Sequence, residues 1–273
     1  QQVADAPAGF QYSRKITSSA ANTVASGSYH TVRYAVEGFD AAQLNCGNSS
    51  AKTVTLSFYV KSSITGNFGL NFTNSANNRS YPVVYTITGN DWEQKTITLT
   101  LDTSGTWLTD SGVGLEINWK LAMGSGYDSG SPNQWQNTWK FPENTVNLLT
   151  TNGATFQLTG VQLEVGQQAT PFEHRSFGEE LARCQRYFFA LNNSGSVYHW
   201  FYPIDTSTVY RRCKITFPTT MRTTPTASEL TGNNAGSAGT PTGTQHADQD
   251  HIDIHWNSSG LVELTHGHFS AEL

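Results

Sequence analysis

The stretch GVQLEVGQQATPFEHRSFGEELARCQRYF (Gly160–Phe188) changes its period part-way through. Val161, Leu163 and Val165 alternate at period two, the mark of a strand with one buried face. Pro171 ends that strand. Ser176 then stands three residues before Glu179, which is the pattern of a capping box, and Glu180 adds negative charge to the first turn. Phe177, Leu181, Cys184 and Phe188 follow at steps of four, three and four, the spacing of a helix seam. Two heptads are too short to stand alone, so the seam needs a partner surface. Either it packs on its own sandwich, or three such helices meet on an axis.

Upstream of the seam the chain reads as strands. Val54, Leu56, Phe58 and Val60 share one face. Ile97, Leu99 and Leu101 share another, as do Val113, Leu115, Ile117, Trp119 and Leu121. Val32, Tyr34 and Val36 form a shorter set. Phe156 and Leu158 are in one phase, and Val161, Leu163 and Val165 are in the other, so the slip predicts a β-bulge at Thr159–Gly160. The pattern predicts an all-β chain: an antiparallel jelly-roll β-sandwich over 1–172, a capped linker helix over 173–190, and a small C-terminal β-domain over 191–273. In that last part, a hairpin is expected with its turn near Asp205–Ser207, residues 228–250 read as a long exposed loop, and a closing hairpin turns around Asn257–Gly260. So small a β unit is expected to complete its core by trimerisation.

Composition narrows the function. The 273 residues carry a net charge of -5 with only 14% charged residues, and no basic stripe, so nucleic acid is not an expected partner. No apolar run reaches membrane-spanning length. Cys46, Cys184 and Cys213 are expected to be reduced thiols. The opening QQVADAPAGF reads as a continuation, so residues are expected upstream of Gln1, including early strands of the first domain.

The joint LTGVQLEVGQQATPFEHRSFGEELARCQRYF, with VTLSFYVKS, DWEQKTITL, FPTTMRTTPT and the closing FSAEL, resembles bacteriophage tail-fibre and related virion proteins from about Phe10 onward. The resemblance implies a carbohydrate-binding-module-like jelly roll, a short helix and a small β-domain in a homotrimer. It further implies a place on the virion, with partners among virion proteins and host cell-surface polysaccharide. It carries no catalytic motif, and none of GxSxG or HExxH is present, so no enzyme is expected. Carboxylates such as Asp91 with Glu93, or Asp102 with Asp110, have no arrangement that a glycosidase pair requires. The alternatives are a capsid or tail decoration protein without receptor role, and a secreted bacterial carbohydrate-binding protein.

Two sets of residues offer chemistry. The loop over 123–147 holds Tyr127, Trp135 and Trp139 with Asn133 and Gln136, the rings and amides that a glycan site uses. The same tryptophans could instead pin the loop to the sandwich. His251 and His255 share a strand face, as do His266 and His268. Three chains around an axis would present enough nitrogens for a transition metal, whereas one chain gives an ordinary polar face. Glu37, Asp40 and Glu164 are oxygen donors for a structural Ca²⁺, too few to complete one. No cofactor is required.

Overall fold

The computed structural model describes residues 1–192, 211–234, 237–238, 241–256 and 262–273. The chain divides into two compact units, Gln1–Glu173 and His174–Leu273.

The first unit is an all-β sandwich. Its strands are β1 (Gln2–Val3), β2 (Ser13–Thr17), β3 (Tyr29–Glu37), β4 (Thr53–Ser62), β5 (Gly66–Thr73), β6 (Ser80–Ile87), β7 (Glu93–Thr100), β8 (Val113–Met123) and β9 (Thr155–Val165). A one-turn helix, α1 (Gly38–Ala41), follows β3. One sheet has the order β1-β2-β9-β4-β7 and the other β3-β8-β5-β6, with every pairing antiparallel. Apart from β1–β2 and β5–β6, which pair within one sheet, successive strands cross between sheets, as in a jelly roll.

The alternating residues meet between the sheets. Val54, Leu56, Phe58 and Val60 of β4 and Leu115, Ile117 and Trp119 of β8 are fully buried. Phe58 meets Trp119 edge-on at 5.5 Å and Tyr85 at 5.3 Å, joining one sheet to the other. Tyr34 faces inward by register, opposite Ile117, yet stays 52% exposed because β3 is an edge strand.

The predicted phase slip is present. Between Gln162 and Thr159, β9 carries one residue more than β4 does between Ser57 and Tyr59. Gly160 sits there at φ +58°, in the left-handed region. Phe10 covers this bulge, packing on Tyr59 at 5.4 Å and Phe172 at 4.9 Å. Nearby, Asp5 accepts hydrogen bonds from Lys61 (3.0 Å), Gln157 (3.0 Å) and Trp92 (3.1 Å), which tie residues 4–12 to the sheet.

In the second unit, α2 (Phe177–Gln185) starts with the capping box: the Ser176 side chain accepts from the Glu179 amide, and the Glu179 carboxylate accepts from the Ser176 amide. No residue of α2 is buried; Phe177 is 82% and Leu181 42% exposed, and Cys184 is exposed. Phe188 is not part of the helical seam. It opens strand β10 (Phe188–Asn192), paired with Ser270. Backbone pairing to a waiting strand overrides the local apolar spacing there.

The remaining strands are β11 (Arg211–Thr216), β12 (Thr226–Asn234), β13 (Ser237–Ala238), β14 (Gly243–Gln245), β15 (His251–Trp256) and β16 (Val262–Ser270). They form sheets β10-β16-β12-β13 and β11-β15-β14. Two sequence expectations change. The stretch 228–250 is not simply an exposed loop, because it contributes β12, β13 and β14; Ser, Thr and Asn suit strands as well as loops. The described strands β15 and β16 do not pair as the expected closing hairpin, since they belong to different sheets, and its turn at Asn257–Gly260 lies outside the described residues. The turn expected near Asp205 lies outside the described residues. Among the described residues of this unit, Cys213, Ile215, Phe217, Met221, Ile252, Ile254, Trp256, Leu264 and Phe269 form a core cluster.

Candidate functional site

The outer face of the β3-β8-β5-β6 sheet is unusual. Strand β8 is buried on both sides: Glu116, Asn118 and Lys120 lie opposite the core face, and all three are buried. A buried charge needs a partner. Arg33 reaches Glu116 at 2.7 Å, and the Lys120 Nζ donates to Asp128 at 2.6 Å and Thr145 at 2.7 Å. Burial pulls the Lys120 pKa down, opposed by its bond to Asp128. Asp128 and Thr145 belong to the loop between β8 and β9, so that loop forms a cover over this polar row.

Its backbone is held as firmly as its side chains. Gln136 and Ser80 exchange amide bonds at 2.8 and 3.0 Å, extending the edge of β6. The Asn133 amide donates to Pro82 O at 2.8 Å, with Asn133 itself at φ +62°. Asn71 donates to Lys140 O at 3.0 Å.

The loop's aromatic residues divide into two groups. Trp135 packs toward the core, with Tyr81 at 5.2 Å and Trp107 at 5.5 Å, and its indole N–H donates to Thr100 O at 3.0 Å. Tyr127 and Trp139 instead join Tyr29 in one ring cluster. Trp139 lies 4.8 Å from Tyr29 and 5.1 Å from Tyr127 and Phe141, and Tyr29 lies 5.6 Å from Tyr127. An open groove of about 400 Å³ runs along this cluster, lined by Tyr29, Asn77, Tyr127, Thr138, Trp139 and Lys140. Tyr29 is half exposed there. Asn77 and Thr138 are exposed beside it, and Lys140 is partly held by donating to Gly126 O at 2.5 Å.

The sequence-derived set is therefore split. Tyr127 and Trp139 come together in the groove, while Trp135, Asn133 and Gln136 do not line it. Gln136 spends its side chain on Ser131 O at 2.8 Å. Tyr29 escapes a reading of the sequence, because it stands at the start of β3 almost a hundred residues away. Only register carries it there: Tyr29 pairs with Met123, immediately before the loop.

Of the carboxylates considered as acid–base pairs, Asp102, Asp110 and Glu93 are engaged in local structure. Asp102 is buried and grips Arg79 at 2.5 and 2.8 Å. Asp110 accepts from the Gly112 amide, and Glu93 accepts from the Thr88 and Gly89 amides and Lys95. Glu164 closes the turn to Thr170. Among the described residues, Glu37, Asp40 and Glu164 do not assemble into one cation cluster.

The four histidines also separate. His251 and His255 lie on β15, and His251 Nδ1 pairs with Asp248 at 2.9 Å. His266 and His268 lie on β16, in the other sheet. Burial, and then the nearby Arg212, lower the His255 pKa.

No protein-family model matches the chain, and no curated protein matches it. Some solved structures are distantly similar. A CBM4 module shares 14% identity over 56% of this chain and 70% of its own, with a TM-score of 0.32. A family 16 carbohydrate-binding module shares 14% over 59% and 82%, with a TM-score of 0.30. Discoidin II from Dictyostelium discoideum shares 9% over 94% and 91%, with a TM-score of 0.17. Likenesses this loose carry no argument; the sandwich rests on its own strand pairing. Among the described residues no helix is long and apolar enough to cross a membrane.

Proposed function

We propose that this chain is a non-catalytic glycan-binding protein, working as a homotrimeric component of a bacteriophage virion fibre that contacts host surface polysaccharide. The observation that carries the glycan reading is the groove of Tyr29, Tyr127 and Trp139. Three rings offer apolar, flat surface to the C–H face of a sugar, and Asn77, Thr138 and Lys140 stand ready for its hydroxyls. The groove is shallow and polar at its edge, which suits weak single-site binding. Three copies on one particle would gain affinity by multivalency. The exposed apolar side chains of α2, Phe177 and Leu181, support self-association. The virion assignment rests on the resemblance of the joint at 158–188.

The second reading is structural: decoration or assembly of the virion without a receptor role. It is favoured by the amount of the loop engaged in packing, including Trp135 and Asp128.

The deciding experiment is saturable binding of labelled protein to host cells and to a panel of polysaccharides. The exposed Tyr29 is the clean probe. Tyr29→Ala should weaken binding at least tenfold and leave the thermal transition in place. Trp135→Ala should lower stability while sparing the groove. A folded protein that binds no saccharide would overturn the glycan reading and leave the structural one. Phe177→Ser with Leu181→Ser should convert a trimer to monomers in light scattering; a wild-type monomer would end the trimer proposal.

A further inference from the structure

Opposite His266 and His268, β12 carries a double irregularity. Between Ser228 and Thr231 it has one residue more than β16 does between His268 and His266, and the next step reverses the excess. The paired slips let Leu264 and Phe269 both face the core while His266 and His268 both face outward. Glu229 sits within the first slip at φ +52°. A non-glycine residue in the left-handed region is held there at a cost of about 1 kcal/mol or more. That conformation brings its carboxylate over the two imidazoles.

The resulting geometry is that of a ligand set. One oxygen, Glu229 Oε2, lies 3.1 Å from His268 Nδ1 and 3.3 Å from His266 Nε2. The three ligand atoms all lie within 4.8 Å of one another. A first-row cation bound at about 2.1 Å separates neighbouring ligands by about 3.0 to 3.4 Å, across octahedral to tetrahedral angles. Both Glu–His distances fall in that window. Glu229 is 63% exposed, so water can reach the remaining coordination positions.

We infer that Glu229, His266 and His268 of a single chain form a mononuclear site for a first-row divalent cation, with Zn²⁺ as the best fit to two imidazoles and one carboxylate. The ion fastens the β12 bulge to β16. It stabilises a unit of modest size in the way structural metals do elsewhere. The site needs no second chain and does not involve His251 or His255. It is independent of the glycan reading, since all three ligands lie in the second unit.

Equilibrium dialysis of the untagged full chain against Zn²⁺, read by elemental analysis, tests this. One Zn²⁺ per chain is expected. His266→Ala with His268→Ala should abolish uptake, Glu229→Gln should weaken it at least tenfold, and His251→Ala should leave it unchanged. Imidazole NMR of the wild-type chain gives a readout that needs no variant: Zn²⁺ should shift the His266 and His268 ring signals. No stoichiometric uptake, uptake that survives the double histidine variant, or shifts confined to other histidines would each overturn the site. In the first case the carboxylate would be only a hydrogen-bond acceptor for the two rings.

Discussion

Replacing Gly160 by alanine tests the bulge on which the first sheet depends. Two costs add at that position. The backbone sits at φ +58°, which costs an L-residue about 1–2 kcal/mol. The new Cβ would lie 2.6 Å from Phe10 Cζ and 3.0 Å from Tyr59 Cδ2, so an aromatic pair must move. Overpacking of that kind costs about 1–3 kcal/mol. Gly160→Ala should therefore destabilise the first unit by about 2–5 kcal/mol. With a urea slope of about 2 kcal/mol per molar, the midpoint drops by about 1–2.5 M. Gly153 supplies the control: it has φ +76°, and a methyl group there would meet nothing within 4 Å, so Gly153→Ala bears the backbone cost alone. The assay is urea unfolding followed by tryptophan fluorescence, since Trp92, Trp107, Trp119, Trp135 and Trp139 all lie in the first unit. Phe10→Ala combined with Gly160→Ala should recover the steric part. If Gly160→Ala and Gly153→Ala prove equal within about 0.5 kcal/mol, Phe10 does not clamp the bulge and the reasoning fails.

Three further outcomes are expected. Hydrogen bonds from Gln157, Lys61 and Trp92 hold the Asp5 carboxyl at about 2, against an ordinary 3.8. A depressed carboxylate adds stability that is full above 3.8 and is lost as pH falls toward 2, so Asp5→Asn should flatten the acid limb of a stability–pH curve in that window. Ser176→Ala removes the capping box of α2; at about 1 kcal/mol, amide exchange in its first turn should speed up about fivefold, and an unchanged rate would mean the cap contributes nothing. Lys120→Met strips Asp128 and Thr145 of their shared donor and should cost about 1–3 kcal/mol, with amide exchange rising in the loop over 124–147 more than in β8. Uniform loosening of both would contradict the account of the loop as a separately seated cover.

Much of the first unit was legible because its strands obey one rule. Val54 to Val60 and Leu115 to Trp119 alternate without interruption, and the core lies where that alternation points. The bulge at Gly160 was legible for the same reason, as a break in phase. The capping box was legible because its two partners are three residues apart. What stayed hidden depended on distant pairing. Phe188 continues the helical spacing of Phe177, Leu181 and Cys184, yet strand pairing with Ser270 decides its state. Glu229 lay within a stretch read as loop, and only the slip against β16 brings it to His266 and His268. Tyr29 reached the groove through register. Trp135 and Trp139 are four residues apart and equivalent by composition, but the bond to Thr100 O turns one of them inward.

Over Glu116, Asn118 and Lys120 the cover is seated on ions and amides, while Trp135 and Phe141 fix its other parts in apolar packing. Lifting the part over Glu116, Asn118 and Lys120 would expose a wettable row, whereas lifting Trp135 would bare its apolar partners Tyr81 and Trp107. The exposed positions of the loop, Thr138 among them, can thus change, and with them the preference of the groove, while Asp128, Thr145, Trp135 and Phe141 keep the loop seated. A fold built this way keeps its recognition surface open to change while the sandwich behind it stays fixed.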